Sequence, residues 1–226
     1  MKPVFAALAL LSAATPAVAA DRPVVIELFQ SQGCSSCPPA NANLNAIAGR
    51  PDVLALSFGV TYWDQLGWKD TFATKAYTDR QRAYARALGV QLGTPEMVIE
   101  GRDSVVGMDP RQVDSALRNA RPVNETRIAS ASGSVQIAAG RTPNRPADVW
   151  LVRYDPRVQR VSIQRGENGG KTLPHRDIVR QLTRLGAWNG AAVSFTPPAS
   201  PDPAYRTAVL VQAPDGGPIL AAARLD

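Results

Sequence analysis

Val24-Val-Ile-Glu-Leu-Phe-Gln-Ser-Gln-Gly-Cys34-Ser-Ser-Cys37-Pro-Pro39 decides how the rest of the chain is read. Residues 24–29 are apolar except for Glu27, the mark of a strand buried on both faces rather than of a half-exposed, alternating one. Proline is accepted only in the first turn of a helix, so Pro38 and Pro39 put the start of a helix close to Ser36. Cys34 and Cys37, the only two cysteines in 226 residues, therefore sit in the turn between a buried strand and a helix. That placement suits redox chemistry better than stapling. A disulfide closing so short a loop restrains little of the unfolded chain, on the order of 1–2 kcal/mol by loop entropy.

Working outward, residues 40–48 place Leu44, Ile47 and Ala48 at helical spacing, with Gly49 and Pro51 to stop the helix. Residues 53–58 then read as a second buried strand, expected to pair in parallel with the first through a right-handed crossover. An aromatic-rich loop over 61–70 leads to a helix expected over 79–88, capped by Thr78 and ended by Gly89. Thr94-Pro95 opens a strand over 96–99, and 105–106 follows a Gly101-Arg102 turn. A helix over 109–119 has Asp109 as its cap and Pro110 at its first position. After residue 121 the pattern changes to short alternating runs over 134–138, 148–154, 158–164, 191–195, 206–212 and 219–223. Residues 178–185 have apolar spacing that fits either a helix or a bent strand. The expected organisation is a leader over 1–20, an α/β domain over 21–122 and an antiparallel β-rich, sandwich-like domain over 123–226.

The first twenty residues carry one charge, Lys2, then an apolar stretch and a small-residue end at Ala19-Ala20. They read as a secretory signal peptide, implying export across the inner membrane to a bacterial periplasm. No later stretch approaches the roughly 20 apolar residues that span a bilayer, so no stable membrane insertion of the mature chain is expected. The net charge is +6, with arginines scattered singly and no Lys/Arg-rich run; a solvated basic surface is a better reading than nucleic-acid binding. No Ser-His-Asp set and no glycine-rich phosphate loop points to a hydrolase or a nucleotide enzyme.

A thiol attacks a disulfide only as thiolate, so the attacking cysteine needs exposure and a neighbourhood that favours negative charge. Cys34, just ahead of the helix, is the expected nucleophile, and Cys37, one turn further in, the more buried resolving thiol. Ser35 and Ser36 add groups able to donate to a thiolate. Because Pro38 and Pro39 draw the helix start toward Ser36, dipolar stabilisation at Cys34 is weaker than if the helix began on the cysteine itself.

The run from Glu27 to Pro39, with Tyr62-Trp-Asp-Gln-Leu-Gly-Trp-Lys-Asp70 and Arg80-Gln-Arg-Ala-Tyr-Ala85, resembles the secreted family called domain of unknown function 1223. Gly166-Glu-Asn168, residues 170–173 and His175 carry the resemblance into the second half. It implies a thioredoxin-like fold for the first domain and supplies no substrate. Thioredoxin-like proteins set a cis-proline opposite the cysteines, and Pro95 stands in that place; the Thr94 backbone would then offer strand-like hydrogen bonds to a bound substrate chain. Glu27 resembles the buried acid that such proteins keep for the proton of the resolving thiol. It lies seven residues before Cys34 instead of six, and pairing with an arginine is the other reading.

Trp63, with Tyr62 and Trp68, forms either an apolar rim that grips a substrate or part of the core. His175, the only histidine, either approaches the cysteines or is an ordinary hydrogen-bonded side chain. The expected function is thiol-disulfide exchange with protein or small-molecule thiols and disulfides, needing no cofactor beyond the redox-active disulfide. Two alternatives accompany it. One is a periplasmic copper carrier holding Cu(I) through Cys34, Cys37 and His175, with Met97 as a further ligand, although copper carriers of that kind space their cysteines by three residues rather than two. The other is a partner-binding module whose disulfide is structural.

Overall fold

The computed structural model describes residues 22–225; the expected leader, residues 1–20, lies outside them. The opening stretch folds as β1 (Val24–Gln30), the cysteine turn and α1 (Cys37–Ile47), and β2 (Val53–Gly59) returns parallel to β1 with Val24 opposite Val53. Both faces of these strands are covered, as their apolar sequence requires. Ile26, Leu28, Val53 and Ala55 pack with Ala40, Leu44 and Ile47 of α1, whereas Val25, Phe29, Leu54, Leu56 and Phe58 belong to a second cluster. Full burial of each such side chain contributes roughly 1.5–3 kcal/mol.

The second cluster receives Tyr77 and Tyr84 from α2 (Lys75–Leu88), and the first receives Val113 and Leu117 from α3 (Pro110–Asn119). So α1 and α3 cover one face and α2 the other. Helix α2 starts at Lys75, not at residue 79, because Thr74 rather than Thr78 caps it, accepting from the Tyr77 N–H at 3.3 Å. Thr78 instead accepts from the Thr61 N–H at 2.9 Å and ties the 61–70 loop to the helix. Asp109 caps α3 as expected, accepting from the Arg111 N–H. β3 (Glu96–Ile99) lies antiparallel on β1, and β4 (Asp103–Val105) on β3.

The second half supplies β5 (Ile128–Ala131), β6 (Ser134–Ile137), β7 (Ala147–Asp155), β8 (Gln159–Ser162), β9 (Thr172–His175), β10 (Ile178–Trp188), β11 (Val193–Phe195), β12 (Arg206–Gln212) and β13 (Ile219–Arg224). Residues 178–185 are thus strand. β10 pairs antiparallel with β7, with register shifts between Val179 and Gln181 and between Arg184 and Gly186, and meets β2 in parallel where Ile178 faces Ser57. The result is a mixed sheet of eight strands, ordered β13-β12-β7-β10-β2-β1-β3-β4, that runs through both halves. β11, β6 and β5 form a separate antiparallel sheet, whose Val135 and Ile137 pack on Val149, Leu151, Val209 and Val211. β8 and β9 pair as a ribbon. The loop between them, residues 163–171, reaches back to the cysteines.

Candidate active site

Regular helix begins at Cys37, with Ser36 as a cap that makes no side-chain bond, so the two prolines occupy the first turn and Cys34 stands outside the helix. Cys34 and Cys37 are joined by a disulfide with a Cα–Cα separation of 5.5 Å. The Thr94 carbonyl oxygen lies 3.8 Å from Cys34 Sγ, and Ser36 Oγ lies 3.5 Å from it. The Thr94–Pro95 peptide bond is cis. Trp63 holds this neighbour in place, its indole N–H donating to Thr94 Oγ1 at 2.7 Å. Trp63 and Tyr62 also pack on the core, and the Tyr62 hydroxyl donates to Gln81, so both aromatics are anchored rather than free. Beside Thr94 and Pro95 opens a cleft of about 320 Å³ lined by Val90, Gly93, Val105 and Val106. A larger cavity of about 550 Å³, lined by Arg102, Arg141 and Arg145, touches none of these residues.

Two expectations about the turn are not met. Both cysteines have 0% exposure, so Cys34 is no more open than Cys37. Ser35 does not face the sulfur: its N–H and its hydroxyl both donate to one oxygen of Glu167, at 2.9 and 2.7 Å. The same loop sends the Asn168 amide onto the carbonyls of Gln32 and Cys34, at 2.9 and 2.7 Å, and Lys171 Nζ steadies Asn168 by donating to its Oδ1. Gly166 shapes the start of this loop, since its φ of 78° lies in the left-handed region that favours glycine. Below the turn, the buried Asp70 carboxylate accepts from the N–H groups of Gln32 and Phe72, at 2.7 and 2.8 Å. Burial pushes Asp70 up to about 6 against the pull of those two bonds. Trp68 completes the support by donating to the Gln32 side-chain oxygen at 2.9 Å.

Glu27 lies elsewhere. It is 1% exposed and paired with Arg80 of α2 at 2.7 Å. Alternation along β1 puts it with Val25 and Phe29 on the α2 face, opposite the Ile26 and Leu28 face that carries α1. Arg80 also donates to Gln212 and to the Tyr84 hydroxyl, each at 3.0 Å, so a buried ion pair ties β1, α2 and β12 together. His175 is fully buried against the edge of Phe72, with neither ring nitrogen hydrogen-bonded within the described residues. Burial lowers it to about 4, and it is neutral at pH 7. Among the described residues no group of three His, Cys, Asp or Glu side chains is placed to hold a metal ion.

Glu167, Asn168, Lys171 and Asp70 are the site residues to which sequence reasoning gave no role here. All four lie in segments that carry the family resemblance, 62–70, 166–168 and 170–173, which is the signal that pointed to them.

Fold and site together define a mixed α/β protein with a disulfide-bridged Cys-x-x-Cys turn between a central strand and its first helix. The family described as protein of unknown function DUF1223 matches residues 25–212, and the chain belongs to that family. Its structure is similar to the crystal structure of the protein AGR_C_4864 from Agrobacterium tumefaciens, at 32% identity over 89% of this chain and 93% of that one, with a TM-score of 0.68. HBP35 of Porphyromonas gingivalis shares the fold at 14% identity, over 90% of this chain and 74% of that one, with a TM-score of 0.55. No curated protein matches the chain.

Proposed function

We propose that this is an exported thiol-disulfide oxidoreductase whose first half is thioredoxin-like and whose second half is sandwich-like. The observation that carries the reading is the disulfide between the only two cysteines, at the strand-to-helix turn, with the Thr94 carbonyl 3.8 Å from Cys34 Sγ. In the reduced protein the Cys34 thiolate attacks one sulfur of a substrate disulfide, forming a mixed disulfide and releasing the other substrate sulfur as thiolate. The Cys37 thiolate then attacks Cys34 Sγ, closing the Cys34–Cys37 bond and releasing the second substrate thiolate. Two electrons pass to the substrate, and the two thiol protons end on the released sulfurs. The reverse sequence oxidises a substrate dithiol. Thr94 and Pro95 border the substrate, Trp63 positions Thr94, and Ser36 offers a hydroxyl to the Cys34 sulfur. Glu27, held by Arg80 on the other face, carries no proton in this scheme. The leader supports a periplasmic location, where protein and small-molecule thiols and disulfides are the partners.

The test is equilibration of the folded chain with a glutathione series, followed by acid trapping of thiols. A reversible two-electron transition is expected, abolished in Cys34→Ser, with a trapped mixed disulfide in Cys37→Ser. The complete burial of Cys34 favours a second reading, a partner-binding module with a structural disulfide. That reading wins if the bond exchanges only after denaturation.

A further inference from the structure

The 163–171 loop is braced from within: the Ile163 N–H donates to the Lys171 carbonyl at 2.9 Å, and the Gly170 N–H to the Ile163 carbonyl at 2.8 Å. It brings a carboxylate from the second half of the chain onto the cysteine turn, 132 residues away in sequence. Glu167 is exposed, and the two bonds from Ser35 hold its carboxyl below the usual carboxylate range, so it is ionised at neutral pH.

A cysteine in this position ordinarily gains thiolate stability from free N–H groups of the following turn and from the positive end of the helix. Here the first source is reduced, because the Ser35 N–H points at Glu167 and the Cys37 N–H donates to the Cys34 carbonyl at 3.2 Å. The second is distant, because the helix starts at Cys37. The contacts left to the Cys34 sulfur are the Ser36 hydroxyl and the Thr94 carbonyl, and the latter can only accept. The other charged groups near the turn do not offset the carboxylate. Lys171 keeps its charge but donates to the Asn168 side-chain oxygen and forms no ion pair with Glu167, Asp70 is acidic, His175 against α1 is neutral, and on the far side of the sheet Glu27 is paired with Arg80 while Glu96 accepts from Gln81 and Ser104.

We propose that Glu167 is a positioning residue that turns the Ser35 donors away from Cys34 and sets a negative charge beside it, disfavouring the thiolate and favouring the disulfide over the dithiol. The pair is thereby biased toward donating electrons: what destabilises the reduced form makes it the better reductant. This rests on the exchange chemistry proposed above, but its first readout needs no exchange. In full-length Cys37→Ser protein, chemically reduced, the ultraviolet absorbance of the thiolate gives the ionisation midpoint of Cys34. Glu167→Gln keeps an oxygen for the Ser35 donors and removes only the charge. It is expected to lower that midpoint and raise the thiolate fraction at neutral pH by about three- to tenfold, the scale of one nearby like charge. High salt, which screens an exposed carboxylate, should lower the midpoint of the unsubstituted Glu167 protein in the same direction.

With both cysteines present, Glu167→Gln should move the glutathione equilibrium toward the dithiol, by a similar factor at pH above the Cys34 midpoint and by less at neutral pH, where most of the reduced form is protonated. An unchanged or raised midpoint in folded Glu167→Gln, or no effect of salt, overturns the role of Glu167 even if the wild type exchanges normally. A wild type that does not exchange, together with a lowered midpoint in the variant, overturns the oxidoreductase reading and leaves the electrostatic role standing.

Discussion

His175 is a buried base with no acid to meet it. Its ordinary value of 6.5 falls to about 4 because an imidazolium there would lose its water and gain no partner. The folded value lies below the unfolded one, so the contribution is fully present above pH 6.5 and is lost as pH falls toward 4, about 3 kcal/mol in all at 1.36 kcal/mol per pH unit. Asp177 masks this in the wild type. Burial raises it from 3.8 to about 7, so its contribution has the opposite sign and is lost as pH rises through that window. Asp70, raised from 3.8 to about 6, acts in the same sense as Asp177, so a stability curve of the wild type alone does not isolate His175. The informative quantity is the difference between wild type and His175→Leu, from urea unfolding at several pH values. It is expected to shift by about 3 kcal/mol against the wild type between pH 7 and pH 4; a constant difference would mean that His175 finds a partner when it protonates. The sequence left His175, the only histidine, either near the cysteines or as an ordinary hydrogen-bonded side chain. Its burial depends on Phe72 and α1, which no local pattern reveals.

At the scale of elements, what was legible depended on how local the cause is. β1 and β2 were readable because both faces are apolar, and the cysteine turn because its prolines and cysteines are contiguous. β10 was not: its bulges break the period of two, leaving Ile178, Val179, Leu182 and Leu185 at helix-like spacing. β5 and β9 are four residues each, and β9 contains Pro174, so neither shows a run long enough to read. The loop over the cysteine turn was invisible as a contact because its partners lie 134 and 136 residues away. That loop carries the prediction for this scale. Asn168→Ala leaves two buried carbonyls without their donor, a loss of about 1–3 kcal/mol. It should also uncover Cys34, so disulfide reduction by a small phosphine is expected to speed up several-fold. Unchanged reduction kinetics in the variant would mean that the loop covers the turn without controlling access to it.

Besides the loop over the cysteine turn, three junctions in the buried core join the molecule across its midpoint. The eight-stranded sheet crosses at β2 and β10, the core cluster of Phe29 and Phe58 also contains Val152, Tyr154 and Leu210, and Arg80 bonds both Glu27 and Gln212. Each junction places residues from before 122 and after 123 in the same buried layer, where losing one side exposes the other. Separate melting of the halves would strip the apolar face of β2 and take from the buried Arg80 guanidinium its Gln212 partner, leaving a charge-assisted donor unmet at a cost of about 1–3 kcal/mol. The chain should therefore unfold in one cooperative step although its sequence changes character near 121. The tryptophans provide the test, since Trp63 and Trp68 report on the first half and Trp150 and Trp188 on the second. Two variants, one with Trp63 and Trp68 changed to Phe and the other with Trp150 and Trp188 changed, should each give urea transitions by fluorescence that coincide with their own far-ultraviolet circular dichroism. A fluorescence midpoint that departs from the dichroism in either variant would show that the halves melt apart, and that the shared sheet couples them too weakly to act as one unit.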